Sequence, residues 1–543
     1  MAWETKACRR RQQLAAQIPD EWQLPLPLQS EALVDVRIIA EKSGILDSLD
    51  IEITRSSNCD ILAKIRKSQW SCERVMLAFC KRAAIAHQLV NCVTNFLMEE
   101  ALETAREHDR YFADTGQVTG PLHGLPISVK DCLDVAGHET TSGLVSRIGL
   151  IARDDALVIR CLRQAGAIPF VKTNLAQATL LVESTNNVFG LVTNPCNRRL
   201  SAGGSSGGEG ALVALFGSPL GVCTDGGGSV RLPAAWNGVY GFKPSATRIP
   251  GLGSRGVGYS DSNLGCTGVI ANDIETLVLF ASSTLGACPW ENDADCVPMP
   301  WNSSVRARSK LRLGLLFDDG ITHLTPPVLR VLRETQEKLA GAGHEVMVLD
   351  WSDLHVRGSR IIFTMYTQEG GVGVKEALDM SGEPPVPRLA TGWSERPLTP
   401  IEIWRNHRAR KQLRLDYLER WKRLDLDAII TAPSPHPAPP HGHYITTALS
   451  AIYNLLDYPC CIVPAGEVDL VKDVASEAWY AETPYDRIPD FPYDFGDGEL
   501  KSLYKGPHIF ANSPLSLQIV GLPWQEELCL LISKHIDDII HSE

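Results

Sequence analysis

The sequence lacks the segments that membrane-spanning and secreted proteins carry. No run of about 18 uncharged apolar residues occurs in it, which is the length that a bilayer requires. The longest apolar region, residues 444–466, is interrupted by Asn454 and Asp457, as is typical of a buried core segment. Arg9, Arg10 and Arg11 precede two glutamines instead of the apolar centre of a secretory signal. We therefore expect a soluble, cytoplasmic protein without a transmembrane anchor.

Regular cysteine spacing and an excess of positive charge are also missing. The fifteen cysteines include no CxxC pair, so they are predicted to be reduced thiols that pack as small core residues. The 52 Lys and Arg residues are outnumbered by 64 Asp and Glu residues, which gives a net charge of -12. This balance argues against a nucleic-acid partner, because phosphate binding needs a basic face.

Segments typical of strands alternate with segments typical of amphipathic helices. This alternation predicts an α/β fold in which helices cover both faces of a large, mostly parallel sheet. The predicted strands are residues 126–130, 167–171, 311–317, 344–349 and 427–431, and the predicted helices start near Ser71 and cover roughly 96–110, 157–165, 326–339 and 400–421.

Several residues predict where these helices begin and end. Asp155 is suited to cap the helix that follows it, and Gly166 to end that helix in a left-handed conformation. Thr399 and Glu402 form a capping-box pattern with proline at the first helical position.

The chain shows no linker that would divide it near its middle. Residues 1–68 contain the Leu-Pro-Leu-Pro-Leu segment 24–28 and are predicted to form an N-terminal arm packed on the core. Residues 69–543 are predicted to form a single domain.

Glycine is concentrated in one stretch. Ten of the 26 residues 203–228 are glycine, next to Ser205, Ser206 and Ser229. A flexible linker would not contain the hydrophobic run 211–215, and a phosphate-binding loop would need a lysine after its glycines. Because glycine lets backbone N–H groups approach a ligand closely, the three glycines before Ser229 predict an oxyanion hole beside a serine nucleophile.

A serine nucleophile also needs a base, and no histidine lies near these motifs. Lys130 ends the predicted strand 126–130, and strand ends are common positions for catalytic groups. A neutral lysine can deprotonate a serine, as Ser-Lys hydrolases show. Taken alone, Lys130 could equally be an ordinary surface lysine at a strand end. Its combination with the serine and glycine motifs favours the base.

Five motifs carry a resemblance to a known family, namely Leu77–Ala84, Gly120–Asp131, Gly203–Gly210, Thr224–Arg231 and Ser516–Gly521. The chain resembles the amidase-signature family over most of its length, above all the fungal acetamidase-like members, and is related to the fatty-acid amide hydrolases. The resemblance implies the amidase-signature fold, a large mixed and mostly parallel sheet with helices on both faces.

Matching these motifs residue by residue implies a catalytic triad. Lys130 is then the base, Ser205 the proton relay and Ser229 the nucleophile, and the Gly204–Ser205 peptide bond is cis. The other implied site residues are the oxyanion-hole and substrate-binding groups Gly226, Gly227, Gly228, Ser229 and Ser205, the supporting residues Ser206, Asp225 and Arg231, and Thr179 from the segment 175–182 that lines the family's acyl site.

Two residues depart from the family's pattern. Gly226 stands where the family usually has threonine or isoleucine, and Cys223 stands where it usually has glycine. Gly226 still offers an N–H group, so we expect the reaction type to be kept. A more flexible loop, and hence a changed rate, is expected.

The expected function is an amidase that hydrolyses a small-molecule carboxylic amide to a carboxylate and ammonia or an amine, through an acyl-enzyme and without cofactor or metal. One alternative is an amide or ester hydrolase specific for a natural-product intermediate. Another is a non-catalytic, amidase-fold subunit of a transamidation complex that handles tRNA. Nothing in the sequence selects an oligomeric state, and a homodimer stays open.

A few polar residues suggest other chemistry. His436, His441 and His443 could bind a metal, but their uneven spacing among prolines favours a loop at the substrate mouth. Glu183 and Asp131 could act as acid–base groups, although structural hydrogen bonding is favoured for both.

Overall fold

The computed structural model of the protein describes residues 2–30, 32–257, 265–389, 396–443, 446–481, 483 and 497–542. Its strands are β1 (Val93–Phe96), β2 (Pro126–Lys130), β3 (Ile168–Thr173), β4 (Leu220–Asp225), β5 (Tyr240–Lys243), β6 (Cys266–Ala271), β7 (Arg312–Leu315), β8 (Glu345–Val348), β9 (Ala428–Thr431), β10 (Cys460–Glu467) and β11 (Pro514–Val520).

The α-helices are α1 (Trp3–Ala15), α2 (Ile39–Lys42), α3 (Ser48–Arg55), α4 (Asn58–Arg66), α5 (Cys72–Val90), α6 (Met98–Thr115), α7 (Leu157–Gln164), α8 (Gly207–Ala214), α9 (Arg231–Asn237), α10 (Ile274–Gly286), α11 (Pro326–Gly341), α12 (Ser352–Thr367), α13 (Val372–Asp379), α14 (Pro400–Arg423), α15 (Ala448–Leu456), α16 (Asp497–Leu503) and α17 (Glu526–Ile540).

All of these strands belong to one sheet, in the order β1-β3-β2-β4-β6-β5-β10-β11-β9-β7-β8. The prediction of an α/β fold with a large mixed sheet is confirmed, but the prediction that the sheet is mostly parallel is wrong. Among the described strands, four neighbouring pairs are parallel and six are antiparallel.

The parallel pairs lie in the two parts of the sheet where the sequence shows strand–helix–strand units. β2 and β3 are joined through α7, and β7 and β8 through α11. The middle of the sheet, from β4 to β9, pairs only antiparallel. The predicted parallel sheet rests on the helical crossovers, which require parallel strands, and the central strands β4, β5, β6, β10 and β11 are not among the predicted strands.

The helix-end predictions have mixed outcomes. Thr399 and Glu402 form the predicted capping box of α14, and Gly166 adopts a φ of +94° directly after α7. The prediction for Asp155 is wrong, because the N-cap of α7 is Ala156. Asp155 instead accepts a hydrogen bond from the Ala136 N–H at 2.9 Å. Its carboxylate therefore restrains the loop that contains Ala136.

The first 68 residues contribute to the main core. Leu14, Trp22, Ile53 and Ile61 belong to the same hydrophobic cluster as the buried side chains of β2 and β3. The division into an arm of residues 1–68 and a domain of residues 69–543 stays a prediction. None of the helices in the described part of the chain combines the length and the apolar character that crossing a bilayer requires.

The sheet brings two of the predicted motifs to one edge. β2 and β4 are parallel neighbours, with Ser128 opposite Gly221 and Val129 opposite Val222. Their carboxyl ends therefore lie together, and they carry Lys130 and the loop that starts after Asp225. This edge is where ligands bind in open α/β sheets.

Candidate active site

Lys130 and Ser205 are in direct contact. The Lys130 Nζ atom lies 2.7 Å from Ser205 Oγ and 3.0 Å from Thr224 Oγ1. Both Lys130 and Ser205 are buried. Within the described ranges, no carboxylate oxygen lies within 4.0 Å of Lys130 Nζ, and the adjacent Asp131 pairs with Lys172 at 3.0 Å. The polar contacts of the amine are thus mainly with hydroxyl oxygens, and Ser205 Oγ lies within the distance that direct proton transfer requires.

Ser205 is held mainly through its backbone. Its carbonyl oxygen accepts hydrogen bonds from the Ala176 N–H at 3.1 Å and from Ser184 Oγ at 3.2 Å. The Gly204–Ser205 peptide bond is cis, as the family resemblance implied. Ser206, the next residue, is also buried and its hydroxyl lies 3.5 Å from the Thr224 carbonyl oxygen.

Ser229 is half-buried and lies just before α9. Among the hydrogen bonds of the described residues, none joins Ser205 to Ser229. The structure thus brings Lys130 and Ser205 into direct contact. Ser229 lies at the end of the glycine loop, without a hydrogen bond to Ser205. Catalytic hydrogen bonds of this kind often tighten only when substrate binds.

The polar backbone groups of the glycine loop have specific partners. The Gly226 carbonyl accepts a hydrogen bond from the Tyr366 hydroxyl at 2.7 Å, and the Gly227 carbonyl accepts one from Ser450 Oγ at 2.9 Å. The Gly228 N–H donates to Asp225 Oδ1 at 2.8 Å. The Gly228 N–H thus already has an acceptor in this structure, and its donation to an oxyanion stays a prediction.

The N–H groups of Gly226, Gly227 and Ser229 donate to no residue within the described part of the chain. They are therefore available to a ligand oxygen, and backbone N–H groups close together on one loop are typical donors of an oxyanion hole.

A buried ion pair stabilises the base of the glycine loop, where β4 ends. Arg231 Nη2 lies 2.9 Å from Asp225 Oδ1, and neither side chain is exposed. Burial alone would raise the pKa of Asp225, but the Arg231 guanidinium and the Val230 N–H hold that pKa well below its usual range. Arg231 also donates to Gln518 Oε1 at 2.8 Å. Asp225 is thus ionised at any working pH and can keep its hydrogen bond to Gly228.

Thr179 lies on a segment that contacts the serine loop. The Ala176 N–H binds the Ser205 carbonyl, and Ala178 and Thr179 follow with φ values of +57° and +66°. Such a conformation is rare for a β-branched residue and is commonly found near functional sites. The contact of Thr179 with substrate stays a prediction.

The residues with alternative chemistry have structural partners. Glu183 accepts hydrogen bonds from His441 Nδ1 and the Gly442 N–H, each at 2.8 Å. His436 Nδ1 lies 2.7 Å from the Pro437 carbonyl oxygen. No group of three or more His, Cys, Asp or Glu residues suited to a metal ion occurs in the described ranges.

Sequence reasoning missed three residues of this site. Thr224 contacts Lys130 and lies inside a recognised motif, so its position next to Asp225 was an available signal. Glu209 is a lone carboxylate among glycines and apolar residues, and this unusual setting was also an available signal. Tyr366 is far from every motif, and no local pattern indicates its role.

Glu209 is fully buried near Lys130. Its Oε2 accepts a hydrogen bond from Ser128 Oγ at 2.5 Å, and its Oε1 accepts one from Thr173 Oγ1 at 2.7 Å. Ser128 is two residues before Lys130 on β2, so the two side chains share a face of the strand. Burial raises the pKa of Glu209 from its ordinary value of 4.5 to about 8.

This shift predicts a specific pH dependence of stability. Between pH 4.5 and about 8 the folded state keeps the Glu209 proton while the unfolded chain loses it, so this group's contribution to the free energy of unfolding falls as pH rises. Glu209→Gln keeps the shape but cannot ionise. In denaturant titrations at pH 5, 6.5 and 8, the variant should gain stability relative to wild type as pH increases. The exposed Glu107→Gln is the control, and a stability difference that does not change with pH would contradict the assignment.

Comparisons with known proteins show which family this chain is similar to. A sequence model of the amidase family matches residues 74–530. The chain is 34% identical to an acetamidase of Emericella nidulans, over 99% of this chain and 98% of that protein. It is 31% identical to fatty-acid amide hydrolase 1 of Sus scrofa, over 88% of this chain and 85% of that protein.

A similar fold is found among solved structures. A fatty acid amide hydrolase structure superposes with a TM-score of 0.92 and 29% sequence identity, covering 99% of this chain and 95% of that one. The match to the family model, the full-length relatives and the fold lead to the same conclusion: this chain belongs to the amidase family, the family defined by the amidase signature.

Proposed function

We propose that this protein hydrolyses the C–N bond of a small-molecule carboxylic amide, with Ser229 as nucleophile, Ser205 as relay and Lys130 as base. The observation that carries the proposal is the buried 2.7 Å contact between Lys130 Nζ and Ser205 Oγ, without a carboxylate beside the lysine in the described ranges. The available N–H groups immediately before Ser229 support it, because they are where a serine hydrolase needs them.

In the proposed reaction, neutral Lys130 accepts the proton of Ser205 as Ser205 accepts that of Ser229, and Ser229 Oγ attacks the amide carbonyl carbon. The N–H groups of Gly226, Gly227 and Ser229 stabilise the oxyanion. Its collapse breaks the C–N bond, and the proton returns from Lys130 through Ser205 to the departing nitrogen. Water then attacks the acyl-enzyme by the same route, which releases the carboxylate and restores Ser229.

The supporting residues keep this arrangement in place. Asp225 and Arg231 fix the end of β4 through their buried ion pair, and Ser206 starts α8 directly after the relay serine. Thr179 is proposed to contact the acyl group. No step requires a metal or an organic cofactor.

The two alternatives differ from this proposal in substrate and in partner. A hydrolase for one natural-product intermediate would use the same triad on a larger amide or ester. A non-catalytic transamidation subunit would need partner chains and a tRNA. The similarity to acetamidases over nearly the full length of both chains favours a small amide and a chain that acts alone. The fifteen unpaired cysteines, all within the described ranges, support a cytoplasmic location.

A substrate series tests the proposed function. We expect the purified chain to release ammonia from primary amides of graded acyl length, beginning with acetamide, and to lose no activity when EDTA is added. Ammonia is measured with each amide at several concentrations, so that kcat and KM are separated. A folded protein that releases no ammonia from any amide, but gains activity with added partner chains, would favour the transamidation subunit. Turnover of only one large amide or ester would favour the natural-product hydrolase.

A further inference from the structure

The peptide between Gly226 and Gly227 has its orientation fixed from outside the loop. The Tyr366 hydroxyl donates to the Gly226 carbonyl oxygen at 2.7 Å. In a planar trans peptide the carbonyl and the following N–H point in opposite directions. A hydrogen bond that holds the Gly226 oxygen on one side therefore directs the Gly227 N–H to the other side.

We propose that Tyr366 is a positioning residue, which orients the Gly227 N–H toward the oxyanion that forms during attack by Ser229. This role rests on the proposed function. Tyr366 does not itself touch the reacting atoms in the scheme; it acts through the Gly226–Gly227 peptide.

Two side-chain hydroxyls among the described residues bind carbonyls of the glycine loop, and of these only Tyr366 supports a peptide whose N–H is available. Ser450 holds the next carbonyl, that of Gly227, at 2.9 Å. The N–H of that second peptide belongs to Gly228 and is bound to Asp225 Oδ1 at 2.8 Å. Ser450 thus helps to shape the loop, whereas Tyr366 holds a peptide that can still donate to a substrate.

The surroundings explain how a tyrosine from a distant helix reaches this peptide. Tyr366 lies at the end of α12, and its ring packs edge-on against Phe363 at a centroid distance of 5.9 Å. A Cβ atom on Gly227 would lie 2.5 Å from the Tyr366 hydroxyl oxygen. Glycine at position 227 is therefore needed for the hydroxyl to approach, and Gly226, where the family usually has a larger residue, is the position that receives its hydrogen bond.

The test removes the hydroxyl and keeps the ring. For Tyr366→Phe we expect kcat to fall on the order of 10-fold with KM little changed, because an oriented donor acts mainly in the transition state. A trifluoromethyl ketone analogue of the best amide forms a tetrahedral adduct with the serine. Its binding affinity should fall by the same factor. Binding of the amide itself, measured in a Ser229→Ala background, should not change. A purely structural tyrosine would not produce this split.

The control is Tyr480→Phe, which removes a comparable, partly buried hydrogen bond from a tyrosine hydroxyl to the Tyr504 carbonyl at 2.8 Å. Rates are expressed per active site titrated with a fluorophosphonate, so that misfolded protein does not count. If wild type turns over and Tyr366→Phe keeps both its kcat and its affinity for the ketone, the positioning role is wrong. If wild type turns over no amide, the proposed function fails, and this role fails with it.

Discussion

Replacing Ser229 with alanine is expected to abolish labelling by a fluorophosphonate and to lower kcat/KM on the order of 10⁶-fold. The reason is that Ser229 is the only group in the proposed scheme that forms a bond to the acyl carbon. Neither Ser205 nor Ser206 can take its place, because both are buried and Ser205 already contacts the base. Labelling and ammonia release are measured on the same preparations.

The exposed Ser303→Ala serves as the control for this change and should behave like wild type. Ser205→Ala provides the sharper comparison, since it removes the relay and leaves the nucleophile. It should slow labelling without abolishing it, because a water molecule can take over part of the relay. Persistent labelling of the Ser229→Ala protein would place the nucleophile elsewhere.

The sequence predicts the parts of this site that depend on local chain geometry. Lys130 ends a strand that is found over the predicted residues 126–130, and Ser205 lies where a glycine turn leads into a helix. Strand ends and glycine turns are set by neighbours in sequence, so their motifs carry the information. The parallel pairing of β2 with β4 then brings Lys130 next to Thr224 at the same edge of the sheet.

The parts that depend on distant packing were not predictable in this way. Tyr366 and Ser450 reach the glycine loop from α12 and α15, and neither belongs to a recognisable motif. The same holds for the antiparallel centre of the sheet, where pairing joins strands from remote regions of the chain. The sequence predicts that Gly228 presents its N–H to an oxyanion, but it does not reveal that this N–H is bonded to Asp225 in the absence of a ligand.

These distant contacts also bear on the expectation of a more flexible loop at Gly226. A glycine at this position removes a side chain that would restrict the backbone. The structure supplies a hydrogen bond from Tyr366 to the Gly226 carbonyl and one from Ser450 to the Gly227 carbonyl. Two consecutive carbonyl oxygens held by side chains from two helices restrain the loop from outside, so the missing side chain need not slow the reaction.

Two chemical roles are conceivable for Lys130, that of a base and that of a fixed positive charge. The substitution Lys130→Arg separates them. An arginine keeps a positive charge but stays protonated and cannot accept the Ser205 proton. We therefore expect Lys130→Arg and Lys130→Ala to lose activity on the order of 10³-fold or more, and Ser205→Ala to lose somewhat less. The measurement is kcat/KM with one good amide for wild type and the three variants.

A second lysine controls for the substitution itself. Lys81 is partly buried and pairs with Asp50 at 2.9 Å, so Lys81→Arg should keep both the ion pair and the activity. Lys130 has no such carboxylate within the described ranges, and its nearest polar neighbours are the hydroxyl groups of Ser205 and Thr224. A lysine kept only for its charge would tolerate arginine as Lys81 does. Near-wild-type activity in Lys130→Arg would therefore show that the lysine is a positive anchor and that the proposed proton relay is wrong.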